Sequence, residues 1–85
     1  MMKMVEVKGE GLESLIGQQV ILFCANYFYA GVLEGVNKTV VKLVQPRIVY
    51  ETGPFTDTTW KDAQSLNVPA LYVRIPAIES YARGK

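Results

Sequence analysis

Apolar positions along this chain fall into short runs separated by polar or glycine-containing breaks, and the period of each run predicts its element. Residues 20–43, VILFCANYFYAGVLEGVNKTVVKL, hold three such runs cut by two short polar breaks, with Gly31 and Gly35 inside the middle one. Residues 20–25 are apolar at every position: Val20, Leu22 and Cys24 on one face, Ile21, Phe23 and Ala25 on the other. A strand with one wet face alternates, so this pattern predicts a strand covered on both sides. Asn26 and Tyr27 make a turn, and a second strand is expected over 28–36. Gly31 and Gly35 fall on one face of that strand, where two glycines suggest a sharp bend, as when a sheet curls into a barrel. Asn37-Lys38 reads as a tight turn, since Asn tolerates the backbone a short hairpin requires. A third strand, rich in β-branched residues, follows over 39–44.

The flanks are less regular. Residues 4–8 alternate weakly, as in a short strand or an ordered arm. Leu12, Leu15 and Ile16 recur at i, i+3 and i+4, which predicts a short helix over 10–16 with Gly17 as its left-handed cap. Pro46 has no N–H to donate and interrupts the third strand. The pattern resumes over 47–52, as a continuation past a bulge or an edge extension, and Thr52-Gly53-Pro54 stops it. Residues 53–69 form an excursion. In it, Trp60 and Ala63 are spaced as on one face of a short helix, with Thr59 and Asp62 as N-terminal caps and Asn67 and Pro69 ending it. Trp60 is expected to staple the excursion to the sheet. Two short strands, 71–75 and 77–81, are joined at Pro76 too tightly for a flat hairpin, so a corner between sheet segments is expected. The tail 82–85 reads as loose.

Composition narrows the class. At 85 residues the chain is expected to be a single domain (1–85), and nearly half of those residues are apolar, including five Tyr, three Phe and one Trp. A domain this small hides only about 60% of its unfolded surface, and self-association is a common way to cover the excess. The formal net charge is +1, without a basic or acidic run, so long-range attraction to a phosphate backbone is weak for one copy. The single cysteine, Cys24, leaves no internal disulfide framework and fits a reducing compartment. It reads as a packed small hydrophobe. No run reaches the ~20 apolar residues of a membrane span and the first ten residues lack a signal-peptide core, so a cytoplasmic protein is expected. Histidine is absent, which removes Ser-His-Asp and Cys-His nucleophilic arrangements and the commonest metal ligand. Gly31 and Gly35 lie within a strand with no helix after them, so they are no phosphate loop. An enzyme is not expected, nor a metal or cofactor.

The order of a short helix, three strongly bent strands, a variable excursion and two short strands resembles the Sm-like family, the LSm and Hfq proteins. It is most similar to small Sm-like proteins encoded by tailed phages and cyanophages. The residues that carry the resemblance are Leu15-Ile16-Gly17, Val20, Gly31-x-Leu33-x-Gly35-x-Asn37, the apolar run 40–43 and Val73-Arg74-Ile75. The resemblance implies a mainly β fold: a five-stranded, strongly bent small β-barrel with a short N-terminal helix and a long excursion between strands 3 and 4. It also implies a cyclic homo-oligomer in which the fourth strand of one copy pairs with the fifth of the next, in the cytoplasm of a bacterial host if phage-encoded. RNA binding is the family's usual activity, at two loops that line the pore. Asn37 stands where the family has an Asp, followed by Lys38 and Thr39 in a shorter loop without an aromatic. Arg74 matches the family's base-contacting Arg, with Ile75-Pro76 in place of the following glycine. Asn37, Lys38 and Arg74 are thus the candidate nucleic-acid-binding residues, for RNA or another single strand. Two alternatives stand beside this reading. Asn37 serves turn geometry while Arg74 pairs with a carboxylate such as Glu79, or the ring binds a phage or host protein, with Tyr27, Phe28 and Tyr29 as an aromatic face against their use in the core.

Overall fold

A computed structural model describes residues 11–85. The arm or strand expected at 4–8 and the first residue of the helix expected at 10–16 lie outside them. Six strands follow one another: β1 (Gln19–Cys24), β2 (Phe28–Val36), β3 (Val40–Glu51), β4 (Asp62–Ser65), β5 (Leu71–Arg74) and β6 (Ile78–Arg83). They form one antiparallel sheet in the order β4-β3-β2-β1-β6, with β5 paired to the other half of β3.

β1 is covered on both faces, as its apolar run requires, although Ala25, expected in the run, lies exposed just past the strand's end. Val20, Leu22 and Cys24 enter one core with Leu33, Val41, Leu43 and Val73. Ile21 enters a second with Ala30, Val49 and Trp60, and Phe23 packs against it from the rim. We call the first the inner face of the sheet and the second the outer face.

β2 and β3 pair from Phe28↔Val49 to Val36↔Val41, with the register slipping between Ala30 and Val32 and again between Leu33 and Gly35. The two glycines sit at these irregularities but do different things. A Cβ on Gly31 would lie 3.0 Å from the Val44 carbonyl oxygen and 3.3 Å from the Leu43 Cβ; only glycine admits so close a backbone. Around Gly35 nothing lies within 4 Å. Nor do they share a face. Gly31 opposes Val20 of the inner core while Gly35 opposes Lys42, because the second slip breaks the alternation between them.

β3 runs through Pro46 and changes its outer partner there. Residues Val40 to Leu43 pair with β5, and Arg47 to Glu51 with β4. Gln45 takes a left-handed φ of 50° just before the proline. The ladder continues beyond it, as expected of a strand that passes a bulge.

Four further expectations are corrected. The helix at 10–16 is a single 3-10 turn, Leu12–Leu15. With three residues per turn, positions i and i+3 eclipse, so Leu12 and Leu15 pack on the inner core while Ile16 is exposed. Gly17 beyond it is left-handed, with φ 91°. The excursion carries a strand instead of a helix: β4 takes the free backbone groups of β3, pairing Ala63 with Val49. Trp60 and Ala63 both reach the outer core, but as a residue before the strand and one within it.

The tail is ordered rather than loose. Ala82 and Arg83 extend β6 beside Ile21 and Val20, and the Gly84 N–H donates to the Gln19 carbonyl at 2.8 Å. The Arg47 guanidinium and the Trp60 indole N–H both donate to the Lys85 backbone oxygen, the latter at 3.2 Å. The Lys85 ammonium lies 4.1 Å from the centre of the Trp60 ring, a cation–π contact.

Finally, the sheet has six strands rather than five and is open. β5 and β6 meet at a 3-10 corner, Ile75–Ala77, around Pro76, as expected of a corner between sheet segments. They pair with β3 and β1 respectively, not with each other, so each keeps an unpaired edge among the described residues.

Candidate nucleic-acid interface

The turn between β2 and β3 is built by one side chain. The Asn37 Oδ1 accepts from the Thr39 N–H at 2.8 Å, the Thr39 hydroxyl at 3.0 Å and the Val40 N–H at 2.9 Å. The Asn37 N–H donates to the Val40 carbonyl at 3.0 Å. A short amide side chain that mimics a backbone carbonyl is what selects Asn for such a turn. The Asn37 oxygen is therefore occupied, and its NH2 is the part left to meet a ligand. Lys38 at the tip is exposed.

Arg74 is brought to this turn from 37 residues away in sequence. Arg74 opposes Val40 across the β3–β5 ladder, and the Ile75 N–H donates to the Thr39 carbonyl at 2.9 Å. Its guanidinium is exposed and makes no ion pair among the described residues. The pairing with Glu79 weighed above is absent from the described ion pairs, although both residues line one cleft. The structure thus joins the three candidate residues at one end of the β3–β5 ladder.

That cleft has a volume of about 370 Å³ and opens between the β1–β2 turn, β5 and the 3-10 corner, within the range of small-ligand sites. The pairing of Cys24 with Ile78 sets the turn beside the corner. Its walls include Tyr27, Tyr29 and Tyr72, with Asn26, Arg74 and Glu79 as the polar groups. Tyr27 is exposed and Tyr29 half-buried against the inner core, whereas Phe28 turns into the outer core and meets Phe23 edge-on at 4.8 Å. The three aromatics of the β1–β2 turn therefore divide between surface and core.

Burial raises the Cys24 thiol above its ordinary value, and the Glu79 charge adds to it. The thiol stays protonated at neutral pH and is no nucleophile. Tyr29 is raised as well, first by burial and then by Cys24 and Tyr27. On the outer face of β3, the Lys42 ammonium meets Glu34 at 2.6 Å and is held above its ordinary value chiefly by that hydrogen bond.

Reading the residues in order missed Tyr72, which is 59% exposed and opposes Lys42. The signal was present in the run Leu71-Tyr72-Val73-Arg74: strict alternation sends Val73 into the core and Tyr72 with Arg74 to the surface. Tyr50, 52% exposed and edge-on to Tyr27 at 6.0 Å, depends on the bulge at Pro46 and had no such signal. Among the described residues no cluster of three or more Cys, Asp or Glu side chains is placed to hold a metal ion. No helix among them is long and apolar enough to cross a membrane. No protein-family model, curated protein or solved structure matches this chain.

Proposed function

We propose that this chain is a ring-forming module of the Sm-like type that binds RNA or another single strand at its centre. Copies join edge to edge, β5 of one to β6 of the next. The observation that carries the proposal is that β5 and β6, two of the three strands with one free edge among the described residues (β4 is the third), lie on one small open sheet. A strand edge exposes unpaired N–H and C=O groups and templates pairing with another chain. Two different edges on one subunit give a heterologous contact, which closes into a ring when the rotation allows. A tight 3-10 corner joins β5 and β6, which pair with β3 and β1 and not with each other. Exposed Tyr81 lies on the β6 edge strand and supplies apolar area for such a contact.

In this reading each copy contributes Lys38, Arg74 and the Asn37 NH2 to the centre. One weakly basic subunit becomes a ring of cations, and multivalent contact turns weak sites into a strong one. A planar guanidinium meets a base face or a phosphate equally well. Light scattering at micromolar concentration should return a closed oligomer; a monomer there refutes the ring. Short A-rich and U-rich RNAs titrated at low and moderate salt should bind, more weakly as salt rises. Absence of binding even at low salt refutes the RNA part alone.

One observation favours a second reading, a ring that binds protein. The Asn37 oxygen, which would hold a base, is spent on its own turn. A partner retained from lysate after nuclease treatment, with no affinity for RNA, would decide for it.

A further inference from the structure

Three clefts lie in series: the first and second share Tyr72, and the second and third share Cys24, Ala25, Asn26 and Tyr27. The first, about 190 Å³, sits at the Asn37 turn over Gly35, Val40 and Lys42. Tyr72 lines this cleft and also the second, the 370 Å³ cleft that holds Arg74. Tyr27 lines the second and also the third, about 180 Å³, which ends on Val49 and Tyr50.

We infer that this series is a track for a single nucleic-acid strand, in which Tyr72 and Tyr27 stack on successive bases and Arg74, in the cleft between them, meets a phosphate. The inference rests on the RNA reading above and gives it a path and a base-holding device. The Asn37 turn has no aromatic and its amide oxygen is engaged, so base holding there is missing. Tyr72 and Tyr27 supply it: they are 59% and 44% exposed, and their hydroxyls make no hydrogen bond among the described residues. A side chain that partitions two clefts presents itself to both occupants, which suits consecutive stacked bases. Stacking of this kind tolerates any base, since each has a π-face.

The charges fit the same occupant. The first two clefts each carry one cation, Lys42, which is paired with Glu34, and Arg74, which makes no ion pair among the described residues. Glu34 is already engaged by Lys42, which leaves Glu79 as the acid of the second cleft. Glu79 and Asn26 there offer acceptors to an exocyclic amine, so a base bearing one (adenine, cytosine or guanine) is favoured over uracil at that position.

The test uses unlabelled oligonucleotides of one to four residues competing with a labelled hexamer on the full chain. Affinity should rise with each residue from one to three, and A- or C-containing trimers should outcompete oligo-U. Tyr27→Ala and Tyr72→Ala should each weaken binding about ten-fold or more, the weight of one stacked base, while Tyr27→Phe and Tyr72→Phe retain it. Circular dichroism and light scattering establish that each variant keeps the fold and assembly of the parent. If the parent binds no oligonucleotide, the RNA reading fails and the track with it. If the parent binds, and Lys38→Ala or Arg74→Ala weakens it while both tyrosine-to-alanine variants bind normally, the RNA reading stands and the track is overturned.

Discussion

The two halves of β3 present the same backbone to very different surroundings. Beyond Pro46, the outer face carries Arg47 and Val49, and the excursion folds back over it. β4 pairs along it, Trp60 is 8% exposed against it, and the Lys85 backbone oxygen ties Trp60 to Arg47. Before Pro46, the outer face carries Val40 and Lys42, and its neighbour β5 adds Tyr72 and Arg74. Nothing in the described chain covers that half. On the outer face, one half of the strand has been made into core and the other left as surface. The difference lies in what returns over each half, since the outer face of each carries one valine and one cation, Val40 with Lys42 and Val49 with Arg47. The bare half, with its aromatics, cations and free strand edge, is where a partner has something to hold.

The largest test of this contrast is Trp60→Ala. Removing a buried aromatic from the outer core should cost about 3–5 kcal/mol, a large part of the stability of a domain this size. Tyr72→Ala on the bare half should move stability by less than about 0.5 kcal/mol. Urea midpoints measure both; equal losses would mean that the bare half is core too.

The joint between the halves gives the next effect. Gly31→Ala places a methyl 3.0 Å from the Val44 carbonyl oxygen and should cost about 1–3 kcal/mol. Gly35→Ala meets open space and should be neutral or stabilising by up to about 1 kcal/mol. Thermal denaturation of the pair separates a bend that demands glycine from one that merely contains it.

At the far end of the bare half, Asn37→Ala removes the acceptor of three hydrogen bonds and should cost about 1 kcal/mol. Asn37→Asp keeps an acceptor and should retain most of that. The same pair read in RNA titration separates turn-building from base contact, because only the alanine variant loosens the turn.

The smallest effect is on pH. The Cys24 thiol is raised in the folded chain by burial and by Glu79. An acid whose folded pKa lies above its unfolded one favours folding below the unfolded value and loses that contribution as pH rises through the folded one. The urea midpoint should therefore fall above about pH 8.5, and less steeply in Cys24→Ala. An identical slope in both would place the alkaline loss elsewhere, with Tyr29, raised by burial as well, as the next group to replace.

How much of this was written in the residues varies with the range of the interaction. The doubly apolar run of β1, the limits of β2, the Asn37 turn, the passage of β3 through Pro46 and the corner at Pro76 all follow from side-chain period, from proline's missing N–H and from short side-chain-to-backbone bonds. Each is decided within a few residues, and the structure bears each of them out. The candidate residues Asn37, Lys38 and Arg74 could be picked out along the chain, but their meeting at one end of a ladder could not.

What the tertiary structure decided concerns pairing between distant segments. Residues 62–65 had a helical spacing at Trp60 and Ala63, yet the free edge of β3 offered backbone bonds that an isolated short helix cannot match. The tail read as loose because it is short and polar. It is held by Gln19, Arg47 and Trp60, none of them near it in sequence. The opening between β5 and β6, and the row of tyrosines beside it, follow from which strand each finds as a partner. Where local period is strong, as in β1, it determines that a segment extends; only the closure of long loops determines which edge a segment meets and which face it leaves bare.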